Sequence, residues 1–459
     1  MVTGQLPSPP ARVHMVGIGG VGVSGLARML HSRGYVVTGS DMSSSPIVQD
    51  LTDEGISVRV GHRAENVGDA DLVIATAAAR EDNPELVEAR RRNIPVVKRA
   101  AALGMLANPA TCLAVAGSHG KSTTSGMAAF AFERAGLEPS FAVGATVGGL
   151  GTNARLGDGP HFIVEADEYD YSFLWLEPAV AIVTNVEHDH PDIFPALDDV
   201  INAFERFAGN LRAGGTLVIS SEDTGAQLLT DRLRSQDDLN VVTYGFGGGD
   251  WQIVRYSAET STLRDPSGQM FELRLAVPGR HNVGNALAVL AAGSSLGIEP
   301  GDLIPGLEAF SGVGRRFEVL LDQPRRTVID DYAHHPTEIA VNIAAARERY
   351  PDRRLLVIFQ PHTYSRTHAL LGDFARALDG ADRAIVAEIY PAREVNTLGV
   401  FSADIVALMD TGATVAESPD DAGRIAQEIA QDGDVILVMG AGDIYQTSKA
   451  LAAVDDRAQ

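Results

Sequence analysis

The sequence predicts an α/β protein in which most strands are parallel. Short apolar runs alternate with helical stretches along the chain, and this rhythm is typical of βαβ units. Runs such as HFIVEAD (161–167) and AVAIVTNV (179–186) are apolar almost throughout, as expected of strands that helices cover on both faces. The length of 459 residues exceeds what one hydrophobic core usually supports, so several domains are expected.

The N-terminal block predicts a first parallel sheet. A glycine-rich turn, GIGGVG (17–22), connects the first strand to a helix that ends at Gly34. A second helix is expected over residues 83–93, NPELVEARRRN. The predicted strands of this block are RVHMVGI (12–18), YVVTGSD (35–41), DLVIATAA (71–78) and IPVVKR (94–99).

The central block begins with TCLAVAGSHGKST (111–123), an apolar strand that leads into a glycine turn and a helix. Further strands are expected at 161–167, at 179–186 and at TLVISSED. Residues 241–277 alternate polar and apolar side chains, which predicts an antiparallel extension of the sheet. A helix is expected to begin near His281.

The C-terminal block returns to the βαβ rhythm after SGVGRRFEV (311–319), a stretch of turn and basic residues. Its strand-plus-loop units are TVIDDYAHHP, RLLVIFQPH, RAIVAEIYP, ATVAESP and DVILVMGAGD, and polar residues follow the strands, where α/β sheets bind ligands. We therefore predict three domains: a Rossmann-like domain over 1–106, a central P-loop ATPase-type domain with a mostly parallel sheet over 107–313, and a Rossmann-like domain over 314–459.

The composition excludes several classes of protein. The net charge of −23 argues against nucleic acid as a partner. No apolar run is long enough to span a membrane, and the N-terminus lacks the apolar core of a signal peptide. The one cysteine, Cys112, forbids an intrachain disulfide and is expected to be buried. These features predict a cytoplasmic protein of unknown oligomeric state.

The GSHGKST turn favours a phosphate ligand. Gly117 and Gly120 permit close approach of the backbone, Lys121 offers a point charge, and Ser122 offers a hydroxyl to Mg²⁺ at a helix N-terminus. The usual glycine five positions before Gly-Lys is replaced by Val115. The alternative interpretation is a helix start preceded by an ordinary glycine turn.

Acidic residues follow the next two strands. Glu165 and Asp167 end a buried-type strand, where a carboxylate for Mg²⁺ is expected in phosphate-transfer sites. His190 lies in a loop crowded with charged and titratable side chains, TNVEHDHPD, which is unfavourable unless a cation or ligand lies nearby. A lone histidine is otherwise usually structural.

The GIGGVG turn has two interpretations. A glycine turn of this kind after a strand suggests NAD or FAD, and Asp41 ends the next strand where a ribose-binding acid is expected. A nicotinamide-dependent oxidoreductase is therefore one hypothesis. The residues themselves do not distinguish a dinucleotide from another diphosphate.

GSHGKST, EADE, TNVEHDH, GRHNVGNALA (279–288), GRRFE (314–318) and DDYAHHP (330–336) occur in this order. In combination the chain resembles the Mur ligase family, the ATP-dependent amide ligases of peptidoglycan precursor synthesis. HMVGIGGVGVSGLA, DYAHHPTE and FQPHTYSRT are similar to the branch that joins L-alanine to the lactyl carboxylate of UDP-N-acetylmuramate. That reaction gives ADP and phosphate through an acyl phosphate and a tetrahedral intermediate.

The resemblance implies a role for each motif. The ATP-binding set would be Gly117, Ser118, His119, Gly120, Lys121, Ser122, Thr123, His281, Asn282, Asn285, Arg316 and Asp331. Ser122, Glu165 and His190 would hold Mg²⁺, for which Mn²⁺ can substitute. The UDP-sugar set would be Gly17, Gly19, Gly20, Gly22, Asp41, Thr76 and Arg99. The catalytic set would be Lys121, Glu165, His190, Arg316, Asp331 and His334.

The resemblance also implies an amino-acid site in the last domain. Arg366 would hold the L-alanine carboxylate, because a guanidinium fork matches a carboxylate. His334 would orient or deprotonate the amine, with Tyr332 and His362 nearby. Arg315 is expected to be solvated surface. A related ligase that uses a muropeptide or a different amino acid is an alternative.

Overall fold

A computed structural model of the chain describes residues 5–191, 193–234 and 239–456, with side chains up to residue 453. By contacts the chain divides into two compact units. The first comprises Met1–Val186, Ile201–Tyr244 and Ala288–Leu307, and the second comprises Glu187–Val200, Gly245–Leu287 and Glu308–Gln459. The domain boundaries at 106 and 313 remain a prediction.

The first sheet has five parallel strands in the order β3-β2-β1-β4-β5 once they are numbered along the chain. The strands are β1 (Arg12–Val16), β2 (Val36–Asp41), β3 (Ser57–Val60), β4 (Leu72–Ala75) and β5 (Val96–Lys98). The helices are α1 (Val21–Ser32), α2 (Pro46–Asp53), α3 (Pro84–Arg91) and α4 (Arg99–Ala107), with a 3₁₀ helix at Ala64–Val67.

The strand order reverses between β1 and β4, which is where α/β sheets form a ligand crevice. Both strands are buried at their carboxyl ends. Ser45 caps α2 and Asn83 caps α3, and each cap is followed by a proline that suits the first helical position. All four strands predicted for this block are confirmed.

The strands from residue 111 to 246 lie in the order β12-β11-β10-β6-β9-β7-β8. Their bounds are β6 (Thr111–Ala116), β7 (Ser140–Val147), β8 (Thr152–Arg155), β9 (His161–Glu165), β10 (Val180–Val183), β11 (Thr216–Ser220) and β12 (Asn240–Phe246). The helices are α5 (Lys121–Arg134), α6 (Leu197–Ala208) and α7 (Thr224–Leu233), with a 3₁₀ segment at Tyr169–Trp175.

The prediction of an antiparallel extension over 241–277 is wrong at its start. β12 pairs in parallel with β11, because α7 returns the chain to the same edge. The antiparallel pairs begin after it, among β13 (Trp251–Arg255), β14 (Ser261–Arg264) and β15 (Met270–Leu273). The helices α8 (Arg280–Ser295) and α9 (Pro300–Ala309) follow.

The last sheet has six strands in the order β16-β17-β21-β18-β19-β20. Only β16 pairs antiparallel among them. The strands are β16 (Glu318–Asp322), β17 (Arg326–Asp331), β18 (Leu355–Phe359), β19 (Arg383–Ala387), β20 (Ala413–Ala416) and β21 (Asp434–Met439). The helices are α10 (Pro336–Arg349), α11 (Tyr364–Ala369), α12 (Leu371–Leu378), α13 (Ser402–Val406), α14 (Pro419–Ile429) and α15 (Tyr445–Asp456).

Apolar clusters cover both faces of this sheet, which explains the continuous apolar runs of its central strands. Among the described residues, no helix is both long and apolar enough to cross a bilayer. The mixed α/β class with mostly parallel sheets is confirmed.

Candidate functional site

The GSHGKST loop (117–123) connects β6 to α5 within the first unit. Gly117 has φ 137° and Gly120 has φ 81°, values that side chains rarely adopt. A Cβ at Gly117 would come within 2.0 Å of Thr184 Oγ1. Glycine is therefore required at Gly117 for two independent reasons, backbone conformation and space.

Residues that follow β10 hold this loop in place. Ser118 N donates to Asn185 O at 3.1 Å, and His119 N donates to Asn185 Oδ1 at 2.8 Å. Thr184 Oγ1 donates to His119 O at 2.5 Å. Ser118 and His119 are buried. The Thr-Asn pair of TNVEHDH thus supports the GSHGKST loop, a role that the sequence motif alone did not indicate.

Lys121 begins α5 and turns back over the loop. Its Nζ donates to Gly117 O at 2.6 Å, to Ser118 O at 3.1 Å and to Glu168 Oε2 at 2.8 Å. Burial opposes the ammonium charge, but the carboxylates of Glu168, Asp167 and Glu165 outweigh burial and raise the pKa of Lys121. The side chain is therefore a cation held at the loop.

Glu168 is a residue that sequence reasoning missed. Its side chain is 2% exposed beside Lys121, and burial raises its pKa even though the ammonium opposes the shift. The only signal was the second glutamate of EADE, a motif that follows a strand adjacent to β6.

Ser122 and Glu165 place two oxygen atoms side by side that could serve as metal ligands. Ser122 Oγ donates to Glu165 Oε1 at 2.9 Å, and Gly144 N donates to Glu165 Oε2 at 2.5 Å. A hydroxyl beside a carboxylate is a donor set that suits a hard divalent cation. Thr123 follows in the same helical turn and is half-buried.

The first glycine loop also gathers its predicted partners in the first unit. Gly17 has φ 77°, and a Cβ there would meet Thr76 Cγ2 at 2.6 Å. Gly19 N donates to Asp41 Oδ2 at 2.9 Å.

Gly22 and Gly20 complete this loop. Gly22 lies against Arg99, with 3.3 Å between an added Cβ and Nη1. Gly20 begins α1 with no side-chain cap, which leaves N–H donors at the helix terminus for an anion.

The first half of α8, which belongs to the second unit, carries the predicted asparagines on one face. Asn285 Nδ2 donates to Asn282 Oδ1 at 3.2 Å, and Asn282 Nδ2 donates to Pro278 O at 2.6 Å. Both are buried. Beside them, burial lowers the pKa of His281 to about 4, so the ring is neutral at pH 7.

Asp331 ends β17 and receives two backbone donors, Phe317 N at 2.6 Å and Ala333 N at 2.6 Å. Burial raises its pKa to about 6, although Arg316 opposes the shift. Arg316 Nη1 donates to Glu338 Oε1 at 3.1 Å. Glu338 is another residue that sequence reasoning missed.

Arg315 is not the solvated surface residue that was expected. Its Nε donates to Asp330 Oδ2 at 3.2 Å, and its Nη2 donates to Gly440 O at 2.7 Å. The guanidinium also lies 4.9 Å from the ring centre of Tyr332. The side chain ties the linker to two strand ends, because β17 and β21 are neighbours in the sheet.

The tautomer of His334 follows from its contacts. Nδ1 lies 3.0 Å from Tyr332 O, and a carbonyl only accepts, so Nδ1 carries the proton and Nε2 is an acceptor. Burial lowers the pKa of His334 to about 3. Its ring meets those of Tyr332 and His362 edge-on, with centroids 5.5 and 5.8 Å away.

His362 and Arg366 follow β18. Arg366 is buried and bonds to Asp189, a partner that the sequence did not reveal. Burial, then Arg366, lowers the pKa of His362 to about 4. Thr363 between them has φ 67°, a conformation that is unusual for a β-branched residue and is typical of functional turns.

His190 adjoins Asp189 in the second unit. It has φ 55°, and its N donates to Asp189 Oδ1 at 2.7 Å. Its Nε2 lies 3.7 Å from Asp189 Oδ2. The strained backbone and the neighbouring carboxylate are consistent with a functional histidine.

Three protein-family models match successive parts of this chain. The model of the Mur ligase family, catalytic domain, matches residues 12–111. The Mur ligase middle domain matches residues 115–293, and the glutamate ligase domain of Mur ligases matches residues 315–442.

Similar proteins carry a consistent description. A UDP-N-acetylmuramate–L-alanine ligase of Paenarthrobacter aurescens (strain TC1) is 45% identical over 436 residues, 94% of this chain and 94% of that protein. Another, of Nitratidesulfovibrio vulgaris (strain DP4), is 42% identical over 440 residues, 94% of this chain and 96% of that protein.

Solved structures agree with the fold. The crystal structure of a UDP-N-acetylmuramate-alanine ligase from Thermotoga maritima has a TM-score of 0.82 and 32% identity, and it covers 98% of this chain and 100% of that chain. A murein peptide ligase of Psychrobacter arcticus has a TM-score of 0.73, 24% identity and coverage of 96% and 98%. The second likeness shows the fold alone.

Proposed function

The chain belongs to the Mur ligase family, and from this premise we propose that it joins L-alanine to the carboxylate of UDP-N-acetylmuramate with conversion of ATP to ADP and phosphate. The observation that supports this function best is the pair of glycine loops in one compact unit. Each loop follows a parallel strand and opens a helix, so the unit offers two separate diphosphate cradles.

The loop after β6 is proposed to bind the phosphates of ATP through Gly117, Ser118, His119, Gly120, Lys121, Ser122 and Thr123. Lys121 is already positioned over this loop as a cation. Phosphoryl transfer to a carboxylate gathers negative charge, and fixed positive charge stabilises such a transition state. In the second unit, His281, Asn282, Asn285, Arg316 and Asp331 are proposed as further nucleotide-binding residues.

The proposed metal is Mg²⁺, with Mn²⁺ as a substitute. Ser122 and Glu165 present adjacent oxygen atoms, which fit a hard cation. His190 is proposed as a further ligand from the second unit. A bound divalent cation would neutralise phosphate charge, and Gly144 N would keep the Glu165 carboxylate oriented.

The loop after β1 is proposed to bind the diphosphate of the UDP-sugar. Gly17, Gly19, Gly20 and Gly22 would approach the phosphates through their backbones. Asp41, Thr76 and Arg99 pack against these glycines, and Arg99 offers a positive charge. The family assignment favours this substrate over the nicotinamide cofactor that the motif alone also allowed.

Arg366, His334, His362 and Tyr332 are proposed as the amino-acid site. The Nε2 lone pair of His334 can accept a hydrogen bond from the amine, since Nδ1 donates to Tyr332 O. A pKa of about 3 makes His334 a weak base. We therefore favour orientation of the amine over proton removal as its role.

The test is a turnover assay with UDP-N-acetylmuramate, L-alanine, ATP and Mg²⁺. We expect phosphate and ADP release that requires all three substrates, with an amide product detected by mass. Lys121→Ala should reduce turnover at least a hundredfold, because it removes the loop's cation. Lys449→Ala, which alters a lysine on α15, is the matched control. Release of AMP, or turnover without L-alanine, would contradict the proposal.

The acceptor is tested separately with glycine, L-serine and a muropeptide in competition with L-alanine. A ligase for another acceptor would keep the ATP and UDP-sugar dependence but prefer a different amine. The family relationship would then stand while the assigned amino acid would be wrong.

A further inference from the structure

Arg366 is a buried arginine with a partner inside the protein. Its Nε and Nη2 both donate to Asp189 Oδ1, at 3.0 and 2.6 Å. The side chains of Arg366 and Asp189 are 5% and 6% exposed, and both residues belong to the second compact unit. The proposed carboxylate-binding arginine therefore already holds one carboxylate.

The contact with Asp189 uses only one of the two hydrogen-bonding edges of the Arg366 guanidinium. A guanidinium can present parallel N–H donors to a carboxylate on its Nε–Nη2 side or on its Nη1–Nη2 side. Asp189 accepts on the first side. Nη1, on the second side, lies 3.4 Å from Nδ1 of His362, and the ring of His362 lies next to that of His334. The second side thus faces the proposed amino-acid residues.

Asp189 is itself held in place. Its Oδ1 accepts the backbone N–H of His190 at 2.7 Å as well as the two donors of Arg366. A carboxylate held by the backbone N–H of the next residue can in turn fix the orientation of the guanidinium. Asp189 also balances the charge of a side chain that would be costly to bury alone.

We propose that Asp189 is a positioning residue for amino-acid binding. It holds Arg366 by the Nε–Nη2 side, so that the Nη1–Nη2 side receives the carboxylate of the incoming amino acid. The inference rests on the proposed function, and it adds a residue that acts through Arg366 instead of touching the substrate. A pre-oriented fork loses less freedom on binding than a mobile one.

A competing arrangement predicts the opposite result. If Asp189 occupied the place of the substrate carboxylate, its removal would free Arg366 and lower the KM for L-alanine. If Asp189 positions Arg366, its neutralisation raises that KM. The sign of the change therefore decides between the two arrangements.

The experiment compares Asp189→Asn with the unaltered enzyme in steady-state assays. Asparagine keeps the shape and an acceptor oxygen but removes the charge. We expect the KM for L-alanine to rise about tenfold or more, with the KM values for ATP and the UDP-sugar changed less than about twofold. An unchanged or lower KM for L-alanine would overturn the inference.

Two controls separate this role from general stability and from metal binding. Asp421→Asn alters an Asp–Arg pair with the same 2.6 Å Nη2–Oδ1 distance but an Arg424 side chain that is 59% exposed; it should leave every KM unchanged. The dependence of the rate on the Mg²⁺ concentration is measured in parallel. A disturbance of His190 would change the Mg²⁺ concentration that gives half the maximal rate, and it would leave the KM for L-alanine unchanged.

A second variant keeps the inference testable if Asp189→Asn does not fold. Asp189→Glu retains the charge but moves the carboxylate by one methylene, and it should raise the KM for L-alanine by a smaller factor. In combination with Arg366→Lys its effect should not add, since both changes act on one pair. Additive effects, or a normal KM in Asp189→Glu, would contradict the inference. Absence of L-alanine-dependent turnover in the unaltered enzyme would instead refute the proposed function.

Discussion

Buried charged residues in this protein are held by specific partners. Lys121 and Glu168 form a buried pair 2.8 Å apart, and each has a pKa above its ordinary value. Such pairs contribute little net stability, but removal of one partner leaves an uncompensated charge in the interior. The two following predictions concern single side chains of this kind.

Glu168→Gln should lower the free energy of unfolding by about 3 kcal/mol, because Lys121 would lose the one carboxylate that is hydrogen-bonded to its Nζ. ATP with Mg²⁺ should raise the melting temperature more in this variant than in the unaltered protein, since phosphates would replace the lost negative charge. Thermal unfolding with and without nucleotide measures both effects. Glu133→Gln, which breaks a more exposed pair with Arg155, is the control. If ATP with Mg²⁺ raised the melting temperature equally in all three proteins, the assignment of Lys121 to the ATP phosphates would be contradicted.

Glu85 is fully buried in the N-terminal block. Burial opposes its charge, but the ring of His14, whose Nε2 lies 3.6 Å from Oε2, and hydrogen bonds from Ser40 and Asn66 outweigh burial and lower the pKa of Glu85 to about 2. A lowered folded-state pKa stabilises the protein above the unfolded pKa of 4.5 and loses that effect as the pH falls through 2. The contribution is about 3 kcal/mol.

Glu85→Gln should therefore be less stable than the unaltered protein at pH 7, and the difference should shrink between pH 4.5 and pH 2. Urea unfolding at several pH values measures it. Glu54→Gln, in a partly exposed pair with Arg28, serves as the comparison. A difference that stayed constant with pH would show that Glu85 is not a buried anion.

At the scale of elements, close backbone approach decides which substitutions the helices tolerate. Gly104 in α4 faces the 3₁₀ segment Tyr169–Trp175, and a Cβ there would lie 2.3 Å from Trp175 O. Gly301 in α9 has no neighbour within 4 Å of such an atom. A Gly→Ala substitution is therefore expected to lower the stability of the protein at Gly104 and to raise it at Gly301.

Gly104→Ala should destabilise the protein by about 2 kcal/mol through overpacking. Gly301→Ala should stabilise it by up to about 1 kcal/mol, because alanine has the higher helix propensity. Chemical denaturation measures both values. Similar effects of the two substitutions would mean that α4 does not approach Trp175 as closely as the structure has it.

At the scale of the whole molecule, the one cysteine reports on unfolding. Cys112 lies on β6 and is fully buried, and burial raises its pKa to about 12. Thiolate is the reactive form, so alkylation of the native protein requires opening of the central sheet.

Iodoacetamide should therefore label the native protein slowly and the denatured protein completely. ATP with Mg²⁺ and the UDP-sugar should slow native labelling further, because ligands that bind the folded state suppress opening. Mass spectrometry over time measures the rate. Cys112→Ala, which has no thiol to alkylate, is the control for labelling at other side chains. Fast labelling with no loss of activity would contradict the burial of β6.

Patterns formed by residues that are close along the chain allowed much of this fold to be predicted. The apolar runs identified the central strands, and the glycine turns identified both helix-terminal loops, because these signals depend on residues that are close along the chain. The clustering of Asp41, Thr76 and Arg99 at the first loop could also be expected, since parallel strands end at the same edge of a sheet.

The partners of the charged residues could not be predicted in this way. Glu168, Asp189 and Glu338 lie 47, 177 and 22 residues from Lys121, Arg366 and Arg316. Their pairing depends on strand order and on how loops return over the sheet, and no local periodicity encodes either. Arg315 was misjudged for the same reason, since its contacts come from β17 and the loop after β21.

The sequence by itself therefore determined the α/β class, the two glycine loops and the family motifs. The tertiary structure decided which carboxylate each cation meets, which tautomer His334 adopts and which edge of Arg366 remains for a ligand. The physical reason is that backbone conformation is set largely by neighbouring residues, whereas burial and ion pairing arise only when distant segments are brought together.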